Sequence, residues 1–158
     1  MHIQTLFKPL AEFEGKVAEL YEWYSELFRL DAEAASVFFQ LAVEEHSHVA
    51  MIEYQRRMVR ISPMDFADVS LDLKPVEEGL ATIATLRNAP QPPSLEEALR
   101  AALTIEASAA EYHFKAAMKQ ASPGAARLLD ALGTAERDHL GKLVDFAKKR
   151  GVEQPAHP

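Results

Sequence analysis

Phe38-Phe-Gln-Leu-Ala42-Val-Glu-Glu45-His-Ser-His48 sets a Glu-x-x-His pair inside an apolar helical stripe, and Ala135-Glu136-Arg-Asp-His139 carries a second pair. Residues three apart on a helix project to the same side, so Glu45 with His48, and Glu136 with His139, can each address one metal ion. Another glutamate on the preceding predicted helix accompanies each pair: Glu14 stands 31 residues before Glu45, and Glu106 stands 30 before Glu136. Four carboxylates and two imidazoles on four helices match the ligand set of a carboxylate-bridged two-metal site in a four-helix bundle.

Placement carries more weight than count. With 17 glutamates and six histidines in 158 residues, roughly 0.65 Glu-x-x-His pairs arise by chance. Both pairs, however, fall mid-helix among core-type residues, and both keep register with an upstream glutamate. Glu14 to Glu106 is an offset of 92, while Glu45 to Glu136 and His48 to His139 are each 91. A repeated helical hairpin places two equivalent half-sites face to face. Six polar or ionised groups turned inward are costly in an apolar core without a compensating ion. A divalent pair offsets that cost and keeps the carboxylates ionised.

The rest of the chain also reads as helix. After Pro9, taken as a first-turn proline, apolar residues recur at helical spacing through Phe13, Val17, Leu20, Tyr21, Tyr24, Leu27 and Phe28. Asp31 is the expected N-cap of a second helix, free of glycine and proline to Ile61 and closed by Pro63. Residues 62–93 read as a long crossover, with a short helix over Pro75 to Arg87 and a breaker cluster from Asn88 to Pro93. Such a connection is too long for a tight turn and lets the second and third long helices run parallel. Ser94-Leu-Glu-Glu97 is a capping box opening a helix to about Gln120. Ser122-Pro123 opens the last long helix, which runs to Arg150 with Gly151 as its stop. Residues 1–151 form one expected domain, and 152–158 a flexible tail.

Composition narrows the chemistry. Hydrophobic residues at 48% suffice for a core, and no apolar run approaches the ~20 residues of a membrane span. Met1 to Phe13 shows no basic-then-apolar signal pattern, so the expected location is cytoplasmic. A net charge of −7 without a basic face argues against nucleic-acid partners. The absence of cysteine removes thiol catalysis, cysteine-ligated zinc and iron–sulfur clusters. Any metal is then held by histidine and carboxylate, a donor set suited to iron, manganese or zinc.

Other polar residues have plainer readings. Glu44 and Glu53 are expected to be surface charges, and His46, about 100° round the helix from Glu45, to face solvent. Tyr21 lies two turns along from Glu14, as His113 lies along from Glu106. Tyr21 either hydrogen-bonds a ligand carboxylate or only packs. His113 is a supporting hydrogen-bond partner, a third imidazole ligand or a core histidine, with the first and last favoured. The methionines show no metal-binding pattern. Phe39 and Tyr54 fall outside the inward stripe, which makes a homodimer a reasonable expectation.

Four stretches resemble the rubrerythrin branch of the ferritin-like superfamily: Ala11-Glu-Phe-Glu14 with Leu20-Tyr21, Phe38 to Ala42 with Glu45 and His48, Ile105-Glu106 with Tyr112, and Ala135-Glu136 with His139. The resemblance implies an all-α, ferritin-like four-helix bundle with a long crossover between its second and third helices. It also implies a di-iron site ligated by Glu14, Glu45, His48, Glu106, Glu136 and His139. The expected activity is reaction with dioxygen or peroxide, of ferroxidase or peroxidase type, with an external electron donor. Two departures stand out. The chain has no cysteine with which to build the rubredoxin-type iron domain of full-length rubrerythrins, and Ala109 occupies the place of an additional family glutamate. They keep open a non-catalytic metal-binding or iron-handling module, and, more remotely, a metal-free structural bundle.

Overall fold

The computed structural model describes residues 3–61, 71–119 and 123–153, which form five α-helices and no strand. The helices are α1 (Ile3–Leu27), α2 (Ala32–Ile61), α3 (Lys74–Arg87), α4 (Leu95–Lys119) and α5 (Pro123–Lys149). Among the described residues, no helix is long and apolar enough to cross a membrane. Residues 62–70, 120–122 and 154–158 lie outside the description, and with them the expected cap Ser122, the stop Pro63 and most of the expected tail.

The four long helices converge on one core. Leu6, Leu10, Leu20, Tyr21, Tyr24, Phe38, Leu41 and Ile52 are all fully or almost fully buried, as are Leu99, Leu103, Leu129, Leu132 and Leu143. Burying a side chain of this kind contributes about 1.5–3 kcal/mol, so this set dominates the stability of the fold. α1 and α2 form an antiparallel hairpin: the Ser25 hydroxyl donates to the Ala35 carbonyl at 2.9 Å, and Tyr24 meets Phe38 edge-on at 5.1 Å. α4 and α5 form a second hairpin. The two are tied by Lys142 with Glu44 at 2.5 Å and Arg150 with Asp31 at 2.7 Å, and by contacts of Tyr21 and Glu14 on α1 with Glu106 and His113 on α4. These pairings make α2 and α4 run parallel, as the long connection between them predicts.

Local signals explain most helix ends. Asp31 Oδ1 accepts the Ala34 N–H at 3.1 Å, the expected N-cap, and the same carboxylate receives both Arg150 nitrogens at 2.7 Å. Asp31→Ala therefore removes a cap and an interhelical tie together, and should lower the midpoint of urea melts. The Ser94 capping box closes in both directions, with the Ser94 N–H on Glu97 Oε2 at 2.7 Å and the Glu97 N–H on Ser94 Oγ at 3.2 Å. α5 ends as its sequence asks: Gly151 takes φ +73°, and the Val152 N–H reaches back to the Ala147 carbonyl at 2.9 Å.

Two ends differ from the sequence reading. α1 starts at Ile3, so Pro9 is an interior residue rather than a first-turn one. Proline removes one intrahelical hydrogen bond, but buried Leu6, Phe7 and Leu10 hold the preceding turns against the core. Val152, assigned to the tail, is 5% exposed and closes the core behind Gly151. α3 lies against α1 at Gly79, where a Cβ would come within 2.6 Å of the Phe13 ring, so only glycine permits that approach. Between α3, α1 and α4 a cleft of about 790 Å³ remains, lined by Phe13, Val76, Ile105, Ala109, Tyr112 and their neighbours.

Candidate metal centre

At the centre of the bundle, seven polar residues interrupt the apolar rows. They are Glu14 on α1, Glu45 and His48 on α2, Glu106 and His113 on α4, and Glu136 and His139 on α5, none more than 4% exposed. Each occupies a core position of its helix. On α2 the buried row runs Phe38, Leu41, Ala42, Glu45, His48, Ile52, and on α5 it runs Leu129, Leu132, Glu136, His139, Leu143. Ordinary helical periodicity therefore carries the charged side chains inward with their apolar neighbours.

The imidazoles are stacked, with centroids 5.1 Å apart and planes 12° from parallel, and each turns Nδ1 toward the carboxylates. His48 Nδ1 lies 3.0 Å from Glu45 Oε2, 3.0 Å from Glu136 Oε1 and 3.4 Å from Glu14 Oε2. His139 Nδ1 lies 2.9 Å from Glu45 Oε1, 3.5 Å from Glu106 Oε2 and 3.9 Å from Glu136 Oε2. Glu45 and Glu136 thus each reach both imidazoles, while Glu14 attends His48 and Glu106 attends His139. One donor atom from each of Glu45, His48, Glu136 and His139 fits within 4.8 Å of the others.

His48 Nδ1 hydrogen-bonds Glu45 Oε2 at 3.0 Å and Glu14 Oε2 at 3.4 Å, but much of the cluster is left over. Glu14 Oε1, Glu45 Oε1, Glu106 Oε2, Glu136 Oε1 and His139 Nδ1 are buried without a hydrogen-bond partner in the protein. An orphaned buried polar atom costs on the order of 1–3 kcal/mol, and five in one pocket are hard to reconcile with a cluster that serves itself. Donors about 2.0–2.2 Å from a common ion stand roughly 3.0–3.5 Å apart, the separations seen here. The residues therefore fit a bound metal: the donors are oxygen and imidazole, they converge, and they satisfy one another only in part.

Electrostatics point the same way. Burial, together with the charges of Glu106 and Glu14, pushes Glu45 up to about 7, only partly opposed by His139 and His48. Burial and the neighbouring carboxylates also hold Glu136 well above the usual carboxylate range. Burial disfavours the imidazolium of His48, yet contacts with Glu136, Glu14 and Glu45 outweigh it and raise the group to about 12. Against the same burial, Glu106 and Glu45 raise His139 to about 9. Glu14 moves the other way: burial would raise it, but the His48 contact leads a set of interactions that hold it below its ordinary value. Without a cation the cluster retains protons that a divalent ion would displace.

No family model, no curated protein and no solved structure matches the chain. All six residues nominated as ligands from the sequence meet in one cluster. Tyr21 does hydrogen-bond a carboxylate of the cluster, but across the bundle: its hydroxyl donates to Glu106 Oε1 at 2.5 Å. Tyr21→Phe leaves that oxygen unpaired and should lower the melting temperature of the metal-free protein by several degrees, an effect of about 1–3 kcal/mol. His113 is fully buried, has no hydrogen-bond partner on either ring nitrogen, and brings Nε2 to 3.4 Å from Glu14 Oε1. Burial drives its pKa down, so it enters the site as a neutral imidazole.

Glu44 is the residue the sequence reading missed. It is not simply a surface charge, because Oε2 lies 2.9 Å from His139 Nε2 while Oε1 accepts from Lys142. A carboxylate beside Nε2 favours the proton there and leaves Nδ1 free for a metal. Glu44→Ala should weaken metal binding by about 10- to 100-fold, read by competition with a chelating dye. His46 does face outward as expected, paired with Glu22 at 2.7 Å.

Proposed function

We propose that residues 1–151 form a ferritin-like four-helix bundle of the rubrerythrin branch, with 62–93 as its crossover, and that the buried cluster holds two metal ions, iron first and manganese or zinc as substitutes. We further propose an oxidoreductase of ferroxidase or peroxidase type, acting on dioxygen or peroxide with electrons from an external donor. The observation carrying this reading is the convergence of six buried donor residues that satisfy one another only in part. A pair of irons would supply one-electron redox steps and Lewis acidity toward an oxygen-based oxidant.

The protein's own contribution follows from its geometry. Glu45 and Glu136 each reach both imidazoles and would hold metal together with them. Glu14 and Glu106 serve one side each, with Tyr21 orienting Glu106 and Glu44 orienting His139. His113 stands against Glu14 as a neutral imidazole and would help position that carboxylate. Buried Tyr21, Tyr24 and Phe38 close the α1–α2 side to water. On the other side, Ala109 lies between Glu106 and His113 on one face of α4 and also lines the α1–α3–α4 cleft. In this reading a small oxidant would approach from the cleft, past that small side chain.

Ala109 also favours a second reading, a site that stores or transfers iron without turnover, since it places no further carboxylate beside Glu106. Stopped-flow mixing of the ferrous protein with hydrogen peroxide separates the two. Fast oxidation that repeats when a reductant is supplied supports the oxidoreductase. Oxidation no faster than free ferrous iron under the same conditions would reject it in favour of the passive site.

A further inference from the structure

The two hairpins repeat each other through the core as well as through the cluster. A position on α1 and its counterpart on α4 are 92 residues apart, and a position on α2 and its counterpart on α5 are 91 apart. Leu41 with Leu132, and Ile52 with Leu143, are buried pairs related in this way. So are the candidate ligands: Glu14 with Glu106, Glu45 with Glu136, and His48 with His139. Distances follow the repeat. Glu14 Oε2 lies 3.4 Å from His48 Nδ1, and Glu106 Oε2 lies 3.5 Å from His139 Nδ1. A half-site built on Glu14 and His48 therefore faces one built on Glu106 and His139, and Glu45 and Glu136 reach both.

The groups behind these donors break the repeat. Tyr21 and His113 are also counterparts, and each crosses the bundle to the carboxylate of the other hairpin. The Tyr21 hydroxyl donates to Glu106 Oε1 at 2.5 Å. His113 Nε2 comes only to 3.4 Å from Glu14 Oε1, and both of those atoms are left without a hydrogen bond. Glu106 is thus tethered by a phenol, while the matching oxygen of Glu14 has no tether. A second difference lies behind the imidazoles. Glu44 Oε2 stands 2.9 Å from His139 Nε2, and Glu44 Oε1 is held by Lys142. The counterpart of Glu44 is Ala135, which has no polar side chain to offer His48. Both supports therefore fall on the same half. A group that fixes a ligand in this way contributes about 10- to 100-fold to metal affinity. The Glu14–His48 half has instead a fully buried imidazole, His113, with both ring nitrogens unpartnered.

We propose that the two half-sites are unequal and fill in order, the Glu106–His139 half first and the Glu14–His48 half second, so that protein with one ion per chain holds it at Glu106 and His139. The proposal rests on the two-metal reading of the cluster. Zinc accepts the same donors without redox chemistry, so it tests the order without turnover. Protein carrying isotope-labelled histidine nitrogens, titrated with zinc sulfate and followed by NMR, reads each imidazole separately. The His139 Nδ1 signal should move during the first equivalent and the His48 Nδ1 signal during the second, each identified by its loss in His139→Gln or His48→Gln. Competition with a chelating dye should give two dissociation constants at least about 10-fold apart. Glu44→Ala should weaken the first step by about 10- to 100-fold and leave the second unchanged, which closes the gap. Tyr21→Phe should act on the first step in the same sense. If either variant disturbs folding, the order of the wild-type histidine signals alone decides. Two zinc ions with equal constants, His48 moving with or before His139, or variants that weaken both steps alike would overturn the proposal and leave the two-metal reading standing. Fewer than two zinc ions per chain would overturn both.

Discussion

Glu45→Gln should separate metal binding from stability. Glu45 is the carboxylate nearest both imidazoles, with Oε2 3.0 Å from His48 Nδ1 and Oε1 2.9 Å from His139 Nδ1. It also sits among Glu14 and Glu106, whose charges help raise it to about 7. Replacing the carboxylate with an amide of the same shape removes a charged donor and a like-charge clash together. The expected outcome is a loss of at least about 100-fold in metal affinity, since a direct donor counts for no less than the supporting groups around it. The metal-free variant at pH 8 should melt no lower than the metal-free wild type, because a buried carboxylate surrounded by others opposes folding when ionised. Calorimetry in chelator and again with added metal measures both halves. A variant that binds metal like wild type and melts far lower without it would make Glu45 a structural partner of the histidines.

The metal-free protein should lose stability as pH rises from about 5 to 9. Glu45 at about 7, His139 at about 9 and His48 at about 12 all lie above their ordinary values, as does Glu136. A group raised on folding contributes stability that is complete below its unfolded value and is lost as pH climbs through its folded value. For Glu45 that window runs from its ordinary 4.5 to about 7, and for His139 from 6.5 to about 9. Each corresponds to on the order of 3 kcal/mol. Glu14, held low, acts only below its ordinary 4.5, whereas His113, driven down by burial, has the opposite sign below its ordinary 6.5 and softens the total at the acid end. Metal-loaded protein should show the reverse trend, because binding releases these protons and tightens as pH rises. Urea melts at pH 5, 7 and 9, with and without metal, would show two curves diverging toward alkaline pH. Parallel curves would mean that the cluster does not exchange protons for an ion.

Much of this arrangement is legible in the chain because helices make spacing into geometry. Glu45 with His48 and Glu136 with His139 share a face by virtue of a three-residue step, and the duplicated register anticipates their meeting with Glu14 and Glu106. His46 is placed outward by the same angle that turns Glu45 inward. What the spacing could not supply is which helices face each other. Tyr21 stands two turns from Glu14 on its own helix, yet it serves Glu106 on α4, because its side chain crosses the bundle. Glu44 looks like the charged flank of an inward pair until α5 brings His139 to it. Pro9 reads as a helix start, but buried Leu6 and Phe7 outweigh one lost backbone bond. In each case an interhelical contact overrides a local signal.

The central claim is that the cluster exists to hold two metal ions. Its most direct test is the metal content of the protein after anaerobic ferrous reconstitution and gel filtration, measured by mass spectrometry for the wild type and Glu45→Gln. The account predicts two iron ions per chain for the wild type and fewer than one for the variant. Substoichiometric iron in both proteins, or equal iron in both, would contradict it.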